Sequence, residues 1–133
     1  MPYLVDSDIV IDHLAAVPVA KTLLAQLAEE GISMSIITYM ETYQGVLRSP
    51  HPVQAKQQFA ALLQTVPVLP FSMSVAKRCA KLREDLQHAG KRVHGRALDL
   101  MTAAIALEHH LTLVTRNVED YKDVPGLRVY KAS

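Results

Sequence analysis

Five short runs rich in apolar and β-branched residues punctuate this chain: "YLV" at 3–5, "ISMSIIT" at 32–38, "VPVLPF" at 66–71, "LTLVT" at 111–115 and "LRVY" at 127–130. Between them lie segments of helical period, and this alternation constrains the fold more than any other feature. Strands separated by helices predict an α/β architecture: a mainly parallel five-stranded sheet with helices on both faces, three layers in all, joined by right-handed crossovers. "SDIVIDHLAA" starts a helix near Asp8, with Ile9, Val10, Ile11 and Leu14 at helical spacing, and Pro18 breaks or restarts it. "AKTLLAQLAEEG" continues as an amphipathic helix closed by Gly31. From Thr38, "TYMETYQGVLRSP" reads as a helix, and Pro50 and Pro52 separate it from "VQAKQQFAALLQT". The prolines of "VPVLPF" place that strand at a sheet edge. A basic helix runs from Ser72, its N-cap, to Ala89 and stops at Gly90; "KRVHG" is a loop and "RALDLMTAAIALEHH" a helix buried on most sides. Asn117 to Lys122 forms a short helix before the fifth strand.

Composition narrows the class. The chain has 133 residues, half of them apolar, with 5 Gly and 7 Pro and no low-complexity tract, so one globular domain over 1–133 is expected. A lone Cys79 cannot pair within the chain, and no leader-like segment precedes the first strand, which suits a reducing cytoplasm. No apolar run approaches the roughly 20 residues needed to span a bilayer, so no membrane partner is expected. The net charge of +1 hides an uneven distribution: seven of the 14 basic residues lie between Lys77 and Arg96, against only Glu84 and Asp85. That run reads either as a solvated face or as a phosphate-binding edge.

The acids are the chemical clue. "YLVDSDIVIDHL" places Asp6, Asp8 and Asp12 among apolar residues with no neighbouring cation, and Asp6 stands at the carboxyl end of the first strand, where open α/β sheets bind ligands. Glu41 lies one turn into the helix after the second strand, Asp99 in the first turn of the helix before the fourth, and Asn117 just after the fourth. Carboxylates brought together repel unless a cation is shared. Oxygen-only ligands suit Mg²⁺, with Mn²⁺ as the alternative, and neither Cys79 nor the adjacent His109 and His110 offers a zinc pattern. Singly, each acid is as well explained as a turn residue, a helix cap or an exposed helix acid.

Three blocks, "YLVDSDIVIDHL", "MSIITYMETYQGVLRS" and "RALDLMTAAIALEHHLTLVTRNVEDYKDVPGLRVY", resemble in order the motifs of PIN-domain ribonucleases, and size and spacing resemble the VapC-type toxins of bacterial toxin–antitoxin pairs. The resemblance implies that Asp6, Glu41 and Asp99 are the metal-site carboxylates, that Asn117 stands where many members carry a fourth Asp, and that Ser7, Thr38 and Thr115 are the accompanying hydroxyls. Asp8 replaces a usual Asn and is open to two roles, supplementary ligand or helix cap. Glu119 or Asp120 could support a second ion, so one ion or two stays open.

The activity so implied is metal-dependent endonucleolytic hydrolysis of RNA, in which bound water is activated and in-line attack oriented. Lys91, Arg92, Arg96 and Arg116 would hold the RNA backbone, which positions substrate without reading sequence. The resemblance further implies a tRNA or ribosomal RNA loop as substrate, a homodimer, a VapB-type antitoxin covering the acidic crevice, and promoter DNA bound only through that antitoxin. Two other readings compete. One is a degenerate PIN domain that binds RNA without cutting it; the other is a haloacid-dehalogenase-like phosphatase with Asp6 as nucleophile and Asp8 as acid/base, for which "VDSD" lacks the expected following residues.

Overall fold

A computed structural model describes residues 2–132. Its five strands, β1 (Tyr3–Val5), β2 (Ile32–Ser35), β3 (Val68–Leu69), β4 (Thr112–Thr115) and β5 (Val129–Lys131), form one sheet in the order β3-β2-β1-β4-β5. Every neighbouring pair is parallel, with Leu4 opposite Ser33 on one side and Leu113 on the other. The sheet is therefore wholly parallel where a mainly parallel one was expected. As the prolines predict, β3 is an edge, and Pro67 and Pro70 trim it to two residues.

Six helices cover both faces: α1 (Ser7–Leu14), α2 (Pro18–Ala28), α3 (Ile36–Arg48), α4 (Pro52–Leu63), α5 (Met73–His88) and α6 (Ala97–Glu108). The strand pleat divides the core. Leu4 and Leu113 join α5 and α6 on one face, with Val75, Leu82, Leu100 and Ile105, whereas Val5 and Val114 join α1 to α4 on the other, with Ile9, Leu24, Met34 and Phe59. Consecutive residues thus serve opposite cores, which is why these strands read as unbroken apolar runs. Among the described residues no helix is long and apolar enough to cross a membrane.

Two helix starts differ from expectation, each because a side chain upstream captures a backbone N–H. Asp6, not Asp8, is the N-cap of α1, accepting from Ser7 N at 2.9 Å. Ser35 caps α3 by accepting from Thr38 N at 3.0 Å, so Ile36 and Ile37, expected in the strand, belong to the helix. The cap at Ser72 and the stop near Gly90 are where the sequence places them.

Candidate active site

The carboxyl ends of β1 and β4, the central strands, open onto the N-termini of α1 and α6, and the acids gather there. Asp6 follows β1 and is fixed at its backbone by donating from N to Val114 O at 2.9 Å. Its residue is 7% exposed, and its carboxylate receives the Ser7 amide on Oδ1 and the Tyr121 hydroxyl, 3.0 Å from Oδ2, with the Thr115 side chain as a further hydrogen-bonding neighbour. Among the described residues no basic side chain is hydrogen-bonded or ion-paired with it. Burial pushes its pKa from the usual carboxylate range to about 6, and the Asp8 charge adds to the rise; the Ser7 amide, Tyr121 and Thr115 oppose it. Asp99, half-buried in the first turn of α6, places Oδ1 3.3 Å from the same Tyr121 hydroxyl. Its pKa is also raised, by burial and then by the nearby Asp120 charge.

Asp8 uses its two oxygens differently: Oδ1 accepts from the first-turn amide of Ile9 at 2.8 Å, a local capping contact beside the Asp6 N-cap. Oδ2 accepts from Arg116 N at 3.0 Å, Asn117 Nδ2 at 3.3 Å and Thr115 Oγ1 at 3.4 Å, while Arg116 Nε stands 3.7 Å away. It is a clasp between the first turn of α1 and the end of β4. So bound, it is not poised as the acid/base of a phosphatase. Asn117 consequently turns toward Asp8, and Thr115 Oγ1 accepts from Asn117 N at 3.1 Å. Arg116 also reaches Asp12 at 3.1 Å, so the guanidinium expected to hold RNA is already held by two carboxylates.

Two of the three expected carboxylates meet. Glu41, half-buried in α3, has no hydrogen bond or ion pair among the described residues, and among them no three His, Cys, Asp or Glu side chains stand close enough to hold a metal ion. Thr38 is buried, with its hydroxyl 3.3 Å from Ser35 Oγ, and Ser7 contributes its amide. Asp120 and Glu119 lie exposed on a 3₁₀ turn (Val118–Asp120), Glu119 paired with Lys122 at 2.5 Å. The donor set around Asp6 and Asp99 is all oxygen, and its negative charge is offset only in part, by Arg96 acting on Asp99, which fits a hard divalent cation such as Mg²⁺ or Mn²⁺.

Arg96 requires a correction. It was expected to contact RNA, but it is 7% exposed and spends its guanidinium internally: Nη1 and Nη2 grip Asp123 at 2.9 and 2.7 Å, and each donates to a backbone carbonyl, Arg92 O at 2.8 Å and Asp120 O at 2.9 Å. Asp123 holds the Arg96 pKa above its usual value, and Arg96 holds that of Asp123 below its own. A planar fork matched to a carboxylate is the reason Arg occupies this place. Lys91 and Arg92 remain exposed at the rim, Arg92 donating to His94 O at 2.6 Å.

The model of the PIN domain family matches residues 3–127. This chain belongs to the PIN-domain family. Among curated relatives, Ribonuclease VapC2 of Rickettsia felis is 28% identical over 96 residues, 72% of this chain and 70% of that protein. A tRNA(fMet)-specific endonuclease VapC of Shigella flexneri is 24% identical over 128 residues, 96% of each. Among solved structures, VapBC2 from Rickettsia felis bound to a promoter DNA fragment superposes with a TM-score of 0.88 at 24% identity, covering 100% of both chains. The PIN fold and the VapC-type likeness expected from the three blocks are therefore found. Tyr121, Asp123 and the Asp12 partner of Arg116 were missed as site-forming residues. Their only local signal is "NVEDYKD", an aromatic residue set among acids, which by itself reads as a helix turn.

Proposed function

We propose that this chain is a metal-dependent endoribonuclease of the VapC type and that Asp6, Asp99 and Glu41 form its metal site. The observation that carries the reading is the meeting of Asp6 and Asp99 on one hydroxyl at the carboxyl edge of the sheet, with no basic side chain among the described residues paired to Asp6. A buried and a half-buried carboxylate held this close raise the free energy of the site, only Asp99 feeling a cation, Arg96, and a shared divalent cation removes that cost. Bound Mg²⁺ or Mn²⁺ would supply a lower pKa for an attacking water and offset charge on the scissile phosphate. Asp6 is held by the N-terminus of α1 and Asp99 projects from the first turn of α6, so both come from rigid elements; Glu41 on α3 is the third carboxylate that the resemblance assigns. The Asp8 clasp would keep Asn117 and the end of β4 in place beside them. Lys91 and Arg92 would meet the RNA backbone at the rim, as point charges that position rather than specify.

The substrate class in this reading is a structured RNA loop, with tRNA the first candidate because the Shigella flexneri relative is named for tRNA(fMet). A cytoplasmic homodimer, neutralisation by a cognate VapB-type antitoxin and promoter binding through that antitoxin belong to the same reading and rest on the family resemblance. The decisive experiment incubates purified protein with total tRNA in Mg²⁺ and maps new 5′ ends. Cleavage that disappears with EDTA and with Asp6→Asn is expected; cleavage that survives both refutes the metal site, and intact RNA bound by wild type would leave a non-cutting binder instead.

A further inference from the structure

Tyr121 lies directly after the 3₁₀ turn, is 1% exposed and belongs to the apolar cluster that includes Leu100, Ala103 and Val124, in the core shared by α5 and α6. A phenylalanine would fill that volume equally well. The hydroxyl is the part that packing does not require, and it reaches out of the apolar cluster to a point 3.0 Å from Asp6 Oδ2 and 3.3 Å from Asp99 Oδ1. We propose that Tyr121 is a positioning residue of the metal site, its phenolic hydroxyl holding the Asp6 and Asp99 carboxylates in register for a shared divalent cation.

Proton counting supports this role. A phenol carries one donor hydrogen, so it can donate to only one of the two carboxylates at a time. It therefore orders the pair without neutralising it, and the negative charge left over is what a cation requires. Groups of this kind, which hold a ligand from the side away from the metal, set ligand orientation and basicity. The hydroxyl is itself held from both directions. Tyr121 N donates to Val118 O and its carbonyl accepts from Val124 N, each at 3.1 Å, while Arg96 grips Asp120 O and Asp123 on either side of it. The buried Arg96–Asp123 pair thus acts at a distance on the site by fixing the turn that carries Tyr121.

The inference rests on the metal-site reading above, and the test separates the two. Mn²⁺ binding is measured by electron paramagnetic resonance of the free ion for wild type, Tyr121→Phe and Asp6→Asn, with folding checked by circular dichroism. Tyr121→Phe is expected to weaken Mn²⁺ about 10- to 100-fold, the range typical of groups that support metal ligands. RNA cleavage should fall in step at low Mn²⁺ and return toward wild type at saturating metal, with KM for RNA unchanged; a merely structural role would lower the folded fraction and leave the affinity of the folded protein alone. A folded Tyr121→Phe protein with wild-type Mn²⁺ affinity overturns the inference while Asp6→Asn, by losing Mn²⁺, still upholds the site. An Asp6→Asn protein that binds as wild type, or a wild type that does not bind, overturns both. Should Tyr121→Phe not fold, the wild-type protein decides: Mg²⁺ should shift the tyrosine ¹³Cζ resonance of Tyr121 and leave those of Tyr39 and Tyr43 in place, and a Tyr121 signal unmoved by Mg²⁺ overturns the proposal.

Discussion

Asp6 and Arg96 are buried to the same degree, each 7% exposed, and each contacts the segment 120–123, yet their surroundings differ. Arg96 donates four hydrogen bonds and has a carboxylate gripped at two points. Asp6 accepts from one amide and one phenol, with Thr115 beside it, and has no cation in contact among the described residues. A charge whose valence is filled from within the protein holds structure; a charge buried with its valence open is poised for something that arrives from outside. Their pKa values report the same contrast, Arg96 pushed toward its charged form and Asp6 away from its own.

The largest expected effect breaks the open side. Asp6→Asn should lower RNA cleavage about a thousandfold, equivalent to about 4 kcal/mol of barrier, while raising the unfolding midpoint of the metal-free protein because an uncompensated buried charge has gone. Single-turnover cleavage and thermal melts in EDTA check the two halves. Asp99→Asn should do the same to cleavage.

The filled side should fail differently. Asp123→Ala strands the Arg96 guanidinium in the core and should cost about 3 kcal/mol of stability in urea unfolding. Arg96→Met should cost less, because Asp123, with 20% of its side chain exposed, can turn to water. Neither should change RNA affinity once corrected for folded protein; a selective loss of RNA binding by Arg96→Met would restore the phosphate-contact role that its burial argues against.

A pH scan without metal sharpens the comparison further. Asp6 has a native pKa of about 6 against 3.8 ordinarily, so between these values the native state holds a proton that the unfolded chain has released. Stability is then full below about pH 4 and falls as pH rises toward and past 6, by about 2 to 3 kcal/mol from this group. Melting temperatures in EDTA at pH 5 and pH 7.5 should show the decline, and Mg²⁺ should reverse it. The smallest effect belongs to the exposed rim: Lys91→Ala with Arg92→Ala should raise KM for RNA several-fold and flatten its salt dependence, leaving stability within about 0.5 kcal/mol.

Much of this was legible in one dimension. The five strands, the edge position of "VPVLPF", the stop at Gly90 and the place of Asp6 all follow from period, proline chemistry and strand ends, which are local properties. Errors occurred where a side chain acts across the chain or across a boundary. Ser35 reassigns Ile36 and Ile37 by capping α3; Asp8 adds a clasp to its local contact with the Ile9 amide because Arg116 and Asn117 come within reach of it. Arg96 looked like one more member of a basic run and is a buried clamp, and nothing in "EDYKD" says that the Tyr hydroxyl will meet two acids.

The order of residues alone determined the layered α/β plan and which acids would stand at the carboxyl edge, since hydrophobic period and strand termini are written within a few positions of each other. Only folding decided which charges are satisfied. Asp6 and Tyr121 are separated by 115 positions and Asp8 and Arg116 by 108, and no local pattern encodes whether such groups meet, how deeply they are buried or how many donors they find. Those three quantities set the electrostatic free energy of a buried charge, and with it the difference between a strut and a site.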